Sequence, residues 1–305
     1  MPYRNDCLRS PIQMLLPDLP KLALEVAALA RRAGAFLQQE AAGFDLSRIE
    51  YKGHSDLVSY VDRETEELLV AGLRKLLPEA GFLTEEGTTG PAVTDGPPPT
   101  ARWIIDPLDG TTNFLHGLPC YAVSIGLEVA GEVVLGVIYE PNRDELFRAT
   151  RGGGAFRNDA PLRVSAAAEL GNALIATGFP YTQFAGLDAY LRILADLMAR
   201  SHGIRRWGSA AVDLAYVAAG RFEGFFEYNL HAWDVAAGVL LVREAGGVVT
   251  RFDGIPGGDP VHGREVLAAT PAVHRAMVEV IGQYWQTDWP AAVVADQATR
   301  EEPAR

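Results

Sequence analysis

Two aspartates, Asp106 and Asp109, lie in the segment DPLDGTTNF, directly after the apolar run Trp103–Ile105. Pro107 stiffens the bend between them, so Asp109 points in a defined direction. Two carboxylates held this close repel each other unless a positive charge lies between them. Mg²⁺ takes oxygen ligands, usually a few carboxylates with waters and phosphate. The pair therefore indicates a metal site, with the carbonyl oxygen of Leu108 as a further oxygen within reach.

The pair also has a purely structural interpretation, because Asp109–Gly110 matches an ordinary turn. The residues that follow favour a functional site over an ordinary turn. Amide groups beyond a glycine turn can point at a phosphate, and Gly110 is followed by Thr111 and Thr112. A threonine hydroxyl beside a carboxylate can also orient a water molecule.

Four other acids could join this site. Glu85 and Glu86 end a short strand-like segment, Asp62 precedes a helical pattern and Asp234 follows Trp233 at a helix start. Each has a structural alternative, because Asp62 and Asp234 fit helix N-caps and the glutamate pair fits a solvated turn. Their joint presence at apolar strand ends and helix starts, where active sites of α/β folds gather, favours one common site.

The elements that must position these acids follow from hydrophobic periodicity. Apolar residues at spacings of three and four predict a first helix from about Leu19 and a second from about Arg63 to Leu77, with Asp62 as its N-cap. GFLTEEG predicts a short strand, and RWIID a buried strand that ends at Asp106. Residues 121–156 predict a meander of three strands.

After Arg163 the pattern becomes an irregular alternation of strands and helices. Strands are predicted in ALIATGF, RFEGFFEYNL and VLAAT, and helices in Asp188–Arg200, Gly208–Gly220, the segment from Trp233 and residues 272–285. The alternation predicts two α/β layers with a boundary near residue 160. We expect an irregular arm at 1–20, an N-terminal α+β metal- and phosphate-binding subdomain at 21–160, a C-terminal α/β subdomain at 161–286 and a loosely held tail at 287–305.

Composition limits the class of protein. The 305 residues are 48% hydrophobic, enough for a substantial core. A net charge of -12 argues against nucleic-acid binding. The two cysteines, Cys7 and Cys120, form no C-x-x-C motif, so cytoplasm is the expected compartment. The apolar part of residues 1–20 is too short for a signal peptide or membrane span, and no membrane association is expected.

Several motifs resemble those of the inositol monophosphatase family. DPLDGTTNF matches its D-P-(I/L)-D-G-T-T-N-F signature, and WDVAAGVLLVREAGG matches W-D-x-A-A-G followed by E-A-G-G. TEEG, YKGHSDLVSYVDRETE and GSAAVDLAYVAAG are similar to further family segments. The resemblance covers about Leu22 to Tyr284.

The resemblance implies a layered α/β/α/β/α sandwich of the sugar-phosphatase type, within the α+β or α/β class. It implies a Mg²⁺-dependent, lithium-sensitive phosphoric monoester hydrolase with two or three Mg²⁺ per site, and a homodimer. The implied metal ligands are Glu85, Asp106, the Leu108 carbonyl, Asp109 and Asp234. Asp62, Thr111 and Glu86 are the implied catalytic residues around the attacking water. The implied substrate-binding residues are Gly110, Thr111, Gly208, Ser209, Ala210, Glu227 and Asp234.

The substrate is left open among small phosphate esters. Glu227 is a good acceptor for a sugar hydroxyl, which favours inositol 1-phosphate. The same carboxylate could receive the ammonium group of histidinol phosphate, and fructose 1,6-bisphosphate is a further alternative. A different class of function is an inactive relative that serves as a binding or interaction module. The intact set of mutually repelling acids argues against that alternative.

Overall fold

The computed structural model describes residues 18–43, 50–53, 56–58, 60–89, 100–180 and 185–285. The arm and tail expected at the termini lie outside these residues, except that residues 18–20 belong to the start of the first helix. The helices are α1 (Leu19–Ala41), α2 (Tyr60–Leu76), α3 (Thr111–Leu115), α4 (Leu187–Arg200), α5 (Ala210–Ala218), α6 (Ala232–Glu244) and α7 (Pro271–Ile281). None of the described helices is both long and apolar enough to cross a lipid bilayer.

Two large sheets organise the strands. The first has seven strands in the order β3-β4-β5-β6-β7-β8-β9, and the second has five in the order β11-β10-β12-β14-β13. The strands of the first sheet are β3 (Gly81–Thr84), β4 (Ala101–Asp109), β5 (Ala122–Val129), β6 (Glu132–Glu140), β7 (Glu145–Thr150), β8 (Gly154–Arg157) and β9 (Ala160–Pro161). Those of the second are β10 (Leu174–Thr177), β11 (Gly203–Arg205), β12 (Gly224–Tyr228), β13 (Val248–Thr250) and β14 (Glu265–Ala269). A separate hairpin pairs β1 (Glu50–Gly53) with β2 (Asp56–Val58).

The sheets and helices stack as five layers. Helices α1 and α2 cover one face of the seven-stranded sheet, and α5 and α6 cover the other. The same two helices pack on the five-stranded sheet, whose outer face carries α4 and α7. Apolar clusters fill the spaces between the layers. The α/β/α/β/α sandwich expected from the motifs is therefore confirmed.

Helix α6 of the middle layer lies close to the seven-stranded sheet. A Cβ atom at Gly136 would lie 2.8 Å from the carbonyl oxygen of Ala237, and one at Gly126 would lie 3.1 Å from the Cβ of Ala236. Glycine on the strands and alanine on α6 thus let the helix backbone approach the sheet. This approach brings the start of α6, which carries Asp234, toward the ends of the sheet strands.

Several predicted boundaries differ from the structure. Helix α2 begins at Tyr60 rather than near Arg63, so Asp62 lies in its first turn and the N-cap prediction is wrong. Strand β4 continues past Asp106 to Asp109, and the predicted three-stranded meander continues into β8 and β9. The short edge strands β11 and β13 were not predicted, because three residues are too few to show an alternating pattern. The proposed boundary near residue 160 stays a prediction.

Candidate active site

A bulge in β4 orients the two aspartates of the DPLD segment. Asp106 pairs with Ser124 and Asp109 with Ala122, so β4 holds one residue more than β5 between these positions. Pro107 lies in this irregular stretch, and it cannot donate a ladder hydrogen bond. The main-chain amide of Leu108 instead donates to Asp106 Oδ1 at 2.9 Å. An extra residue re-aims side chains, which explains how acids three positions apart can converge.

Asp106 and Asp109 meet Asp234 in one cluster. One carboxylate oxygen from each of the three residues lies within 4.8 Å of the others, and Asp106 is buried. Asp109 Oδ2 accepts hydrogen bonds from Ser209 Oγ at 2.7 Å and from the amide of Ala211 at 2.6 Å. The start of α5 therefore fixes the orientation of the second aspartate.

Asp234 is positioned by the first turn of α6. The helix begins at Ala232 with His231 as its N-cap residue, so the structural alternative that Asp234 is an N-cap is wrong. Asp234 Oδ2 instead reaches back to accept a hydrogen bond from the amide of His231 at 2.7 Å. This is the reciprocal half of a capping box. The His231 ring stacks on Trp233 with their centroids 4.5 Å apart.

Glu85 joins the cluster from the neighbouring strand. Strands β3 and β4 run parallel, with Thr84 beside Ile105, so Glu85 follows β3 next to Asp106. The Glu85 carboxyl group is close enough to Asp106 to hydrogen-bond with it when one of the two is protonated, and this contact raises the pKa of Asp106. Parallel strands bring their carboxyl ends to one edge of a sheet, which is where ligands bind in α/β folds.

Burial raises the pKa of all three aspartates. The pKa of Asp109 rises to about 6, although the hydrogen bonds from Ser209 and Ala211 oppose the rise. Burial, and then the charge of Asp109, raise the pKa of Asp234 to about 7. Burial and the charge of Glu85 raise the pKa of Asp106 well above its usual value. A bound cation would reverse this repulsion, because it stabilises the ionised form of each group.

Asp62 and Thr111 lie together beside the carbonyl oxygen of Leu108. Thr111 Oγ1 is 3.1 Å from Asp62 Oδ1 and 3.0 Å from the carbonyl oxygen of Leu108, and it can donate to either. Gly110 precedes Thr111 with a φ of 96°, and a Cβ there would lie 3.0 Å from the carbonyl oxygen of Cys120. A side chain at Gly110 would therefore strain this connection.

A cavity of about 330 Å³ lies beside the acids. Nine of the predicted site residues line it. These are Glu85, Asp109, Gly110, Thr111, Gly208, Ser209, Ala210, Glu227 and Asp234. Asp62, Glu86, Asp106 and Leu108 lie outside the lining, so the structure places these four behind or beside the cavity wall.

Comparison with known proteins agrees with this geometry. The inositol monophosphatase family matches residues 20–286 of the chain. The chain belongs to the inositol monophosphatase family. It is 46% identical, over 83% of its length and 92% of the relative's, to a protein of Mesorhizobium japonicum named inositol-1-monophosphatase. It is also 44% identical, over 84% of its length and 95% of the relative's, to a Neisseria meningitidis protein named putative Nus factor SuhB.

A solved structure shows the same fold. The extragenic suppressor protein SuhB of Bartonella henselae superimposes with a TM-score of 0.76 at 42% identity, over 86% of this chain and 98% of the other. The protein is thus an enzyme of the inositol monophosphatase family, a phosphoric monoester hydrolase. The family is metal-dependent and acts on small phosphorylated substrates.

Other residues of this inositol monophosphatase family site were not predicted from the sequence. Buried Glu66 accepts hydrogen bonds from the amides of Glu86 and Thr88, at 2.7 and 2.8 Å, and so holds the turn that carries Glu85. Its position four residues after Asp62 on one helix face was the available signal. Asp213 and Arg206 also line the cavity. In the sequence, Asp213 is a single acid in an otherwise apolar helix, and Arg206 belongs to no recognised motif. Neither residue could therefore be assigned to the site.

Proposed function

We propose that the protein is a Mg²⁺-dependent phosphatase that hydrolyses inositol 1-phosphate through a metal-activated water. The convergence of Asp106, Asp109 and Asp234 within 4.8 Å, at the edge of a cavity, carries the proposal. An all-oxygen set of mutually repelling acids suits a hard divalent cation. The choice of inositol 1-phosphate as substrate rests on the relatives named inositol-1-monophosphatase.

The donor set fits metal binding. Glu85, Asp106, the Leu108 carbonyl, Asp109 and Asp234 would hold two or three Mg²⁺ ions. Burial raises the pKa of Asp106, Asp109 and Asp234, and the charges of Arg206 and Arg264 only partly offset the rise for Asp109 and Asp234, so a bound cation would stabilise their ionised forms. Bound Mg²⁺ would neutralise the phosphate dianion and lower the pKa of a water.

The remaining groups orient the reactants. The Thr111 hydroxyl, held between Asp62 and the Leu108 carbonyl, can present a lone pair to the attacking water when it donates to either oxygen. Asp62 is buried, so its carboxylate keeps a fixed direction. We assign Glu86 to the same group, supported by its place directly after Glu85.

The part of the cavity lined by Glu227, Gly208, Ser209 and Ala210 would receive the leaving alcohol. The hydroxyl of Ser209 donates to Asp109, so its contribution to substrate binding would be mainly to hold that carboxylate. Glu227 would accept hydrogen bonds from the polyol, and Gly110 with Thr111 would lie beside the phosphate.

A phosphate-release screen tests the proposal. Inositol 1-phosphate, histidinol phosphate and fructose 1,6-bisphosphate are each compared with Mg²⁺ and with excess EDTA. We expect the highest kcat/KM for inositol 1-phosphate, no release in EDTA and inhibition by lithium. Equal release in EDTA would reject the metal mechanism. A higher kcat/KM for histidinol phosphate would reject inositol 1-phosphate as the substrate but would still support metal-dependent phosphate hydrolysis.

The Glu227→Gln variant separates substrate recognition from hydrolysis. It keeps the shape of the side chain and removes its charge. We expect a higher KM for inositol 1-phosphate and a smaller loss with p-nitrophenyl phosphate, because a site that lacks its acceptor binds the hydroxyl poorly. A uniform loss of kcat on both esters would place Glu227 in the catalytic machinery instead.

The proposal includes a homodimer, which the family resemblance implies. Light scattering at micromolar concentration should then give twice the monomer mass of 32.9 kDa. A mass near that of the monomer would reject the dimer.

A second candidate function is a binding role of the kind named for the relatives called Nus factor SuhB. Identities of 42–44% to these proteins favour it. Complementation of a deletion strain separates the two roles, because Asp109→Asn would remove hydrolysis and leave a binding surface in place. Rescue by Asp109→Asn would support the binding role, and failure together with a folded variant would support hydrolysis.

A further inference from the structure

Asp213 is an acid in the cavity lining that none of the sequence motifs identified. Asp213 belongs to α5, one turn after Ser209, and its side chain is only 1% exposed. It lines the same cavity as Asp109 and Glu227. Its Oδ1 atom has no hydrogen-bond partner within the described chain.

An unpartnered buried carboxyl is costly in this position. Burying a polar group without a hydrogen bond costs free energy, and most buried polar atoms in proteins have a partner. The other eight residues of α5 are buried and none of them carries a charge. The cavity is the place from which a missing partner can come.

Glu227 and Asp213 line the same cavity, and Glu227 comes from a neighbouring strand. On β12, Phe225 packs in the cluster between the sheets and Phe226 in the outer cluster. Side chains alternate along a strand, so Glu227 points inward with Phe225, toward α5. A Cβ atom at Gly178 would overlap the Glu227 carboxyl group, so bare backbone at Gly178 leaves the space that this carboxyl occupies.

The charge near the two acids selects the kind of ligand. The Arg206 guanidinium lies 5.7 Å from the ring centroid of Phe179, and its charge favours the ionised forms of Asp213 and Glu227. A positive charge is thus already present beside both acids. An ammonium group can only donate hydrogen bonds, whereas hydroxyls can donate to the two acids and also accept from the guanidinium.

We propose that Asp213 and Glu227 form a two-carboxyl subsite that hydrogen-bonds two hydroxyl groups of the leaving alcohol. Asp213 is then a specificity-determining residue for a polyol phosphate. The inference rests on the proposed phosphatase function and refines its substrate class. It favours a polyol over histidinol phosphate, because hydroxyls can also accept from Arg206 and an ammonium cannot.

Steady-state kinetics on the Mg²⁺-loaded full chain test this inference. Asp213→Leu replaces both oxygens with methyl groups on the same branched side chain, and Asp213→Asn keeps one acceptor. Each is compared on inositol 1-phosphate, its monodeoxy analogues and p-nitrophenyl phosphate. Ser201→Ala is the matched control, because Ser201 Oγ is also buried without a partner but does not line the cavity.

We expect Asp213→Leu to raise KM for inositol 1-phosphate about tenfold or more, with a much smaller change on p-nitrophenyl phosphate. Asp213→Asn should recover part of the loss. One monodeoxy analogue should bind the native protein poorly and yet show no further loss with Asp213→Leu. Ser201→Ala should behave as the native protein on both esters. If Asp213→Leu fails to fold, the analogue series on Asp213→Asn provides the same comparison.

Equal losses of kcat/KM on both esters would show that Asp213 has a structural role and overturn the inference. No change on either ester would overturn it as well. A native protein that releases phosphate from none of the esters would instead reject the proposed function, so the two failures are distinguishable.

Discussion

Asp109 has opposite effects on stability and on the chemistry proposed for the site. Its folded-state pKa of about 6 lies above the ordinary value of 3.8. The folded state therefore binds this proton more tightly than the unfolded state. Its contribution to stability is fully present below 3.8 and is lost as pH rises through about 6. At pH 8 without metal, the ionised carboxylate destabilises the fold.

The Asp109→Asn variant should separate these two effects. We expect more than about a hundredfold loss of phosphate release, because metal ligation is worth several kcal/mol in the transition state. Without metal at pH 8, the same variant should unfold at a temperature a few degrees higher than the native protein. Calorimetry and a phosphate assay measure the two quantities. A lower unfolding temperature at pH 8 would contradict this account of the carboxylate.

Glu279→Gln is the control for this experiment. Glu279 is exposed on α7, in the outer layer, so its variant loses a charge without touching the cavity. It should change neither quantity.

At the scale of elements, helix α2 holds the turn that follows β3. Glu66 on α2 is fully buried and accepts hydrogen bonds from the Glu86 amide, the Thr88 amide and Thr88 Oγ1. We expect Glu66→Ala to raise the Mg²⁺ concentration needed for half-maximal activity, because outer partners of metal ligands typically contribute 10- to 100-fold in affinity. A Mg²⁺ titration of activity measures this.

The neighbouring residue supplies the matched control. Glu67 is exposed on the same helix, so Glu67→Ala removes an equal charge without touching the turn. It should leave the Mg²⁺ dependence unchanged. If Glu66→Ala behaves like Glu67→Ala, the turn does not need this anchor.

The end of β10 sets the position of Glu227. Since a Cβ at Gly178 would overlap the Glu227 carboxyl group, Gly178→Ala must displace that side chain. We expect KM for inositol 1-phosphate to rise several-fold with a smaller change on p-nitrophenyl phosphate. Gly171→Ala is the control, because its nearest neighbour would be 3.9 Å away. Equal behaviour of the two variants would show that Glu227 does not contact the substrate.

Local sequence was sufficient to predict the elements whose periodicity spans several turns. Helix α1 begins at Leu19, as its apolar stripe predicts, and the acids of DPLD and TEEG lie at adjacent strand ends. Asp213 and Glu66 could not be assigned roles in the same way. Their partners lie on other elements, and spacing within one helix does not show which layer faces it. The sequence predicted a stiff bend at Pro107 but not a bulge, because a bulge is defined by the pairing of β4 with β5.

At the scale of the whole molecule, the candidate ligands come from different layers of the sandwich. Glu85 follows β3, and Asp106 and Asp109 lie in the last part of β4, whereas Asp234 belongs to α6 in the middle layer. A metal bound among them would connect sheet and helix in the folded state. The unfolded chain would not hold these groups together, so binding should stabilise the fold by mass action.

The stabilisation by Mg²⁺ should depend on pH in a direction fixed by the pKa values. Protons and Mg²⁺ compete for Asp109 and Asp234, whose pKa values are about 6 and about 7. Below these values the acids are protonated, so Mg²⁺ should change the unfolding temperature little at pH 5. Above them the metal-free protein loses stability while Mg²⁺ binds more tightly. The difference between Mg²⁺ and EDTA should therefore grow steadily from pH 5 to pH 8.

Thermal unfolding at four pH values, with Mg²⁺ and with EDTA, measures this difference directly. Bound Mg²⁺ should also lower the pKa of the neighbouring Glu227 and Asp213, because it offsets the charges of Asp109 and Asp234 that raise them, and this adds to the difference in the same direction. Asp109→Asn should show a smaller and flatter difference, because one of the competing groups is absent. A Mg²⁺ effect that is constant across pH, or largest at pH 5, would mean that the metal binds elsewhere than at these aspartates.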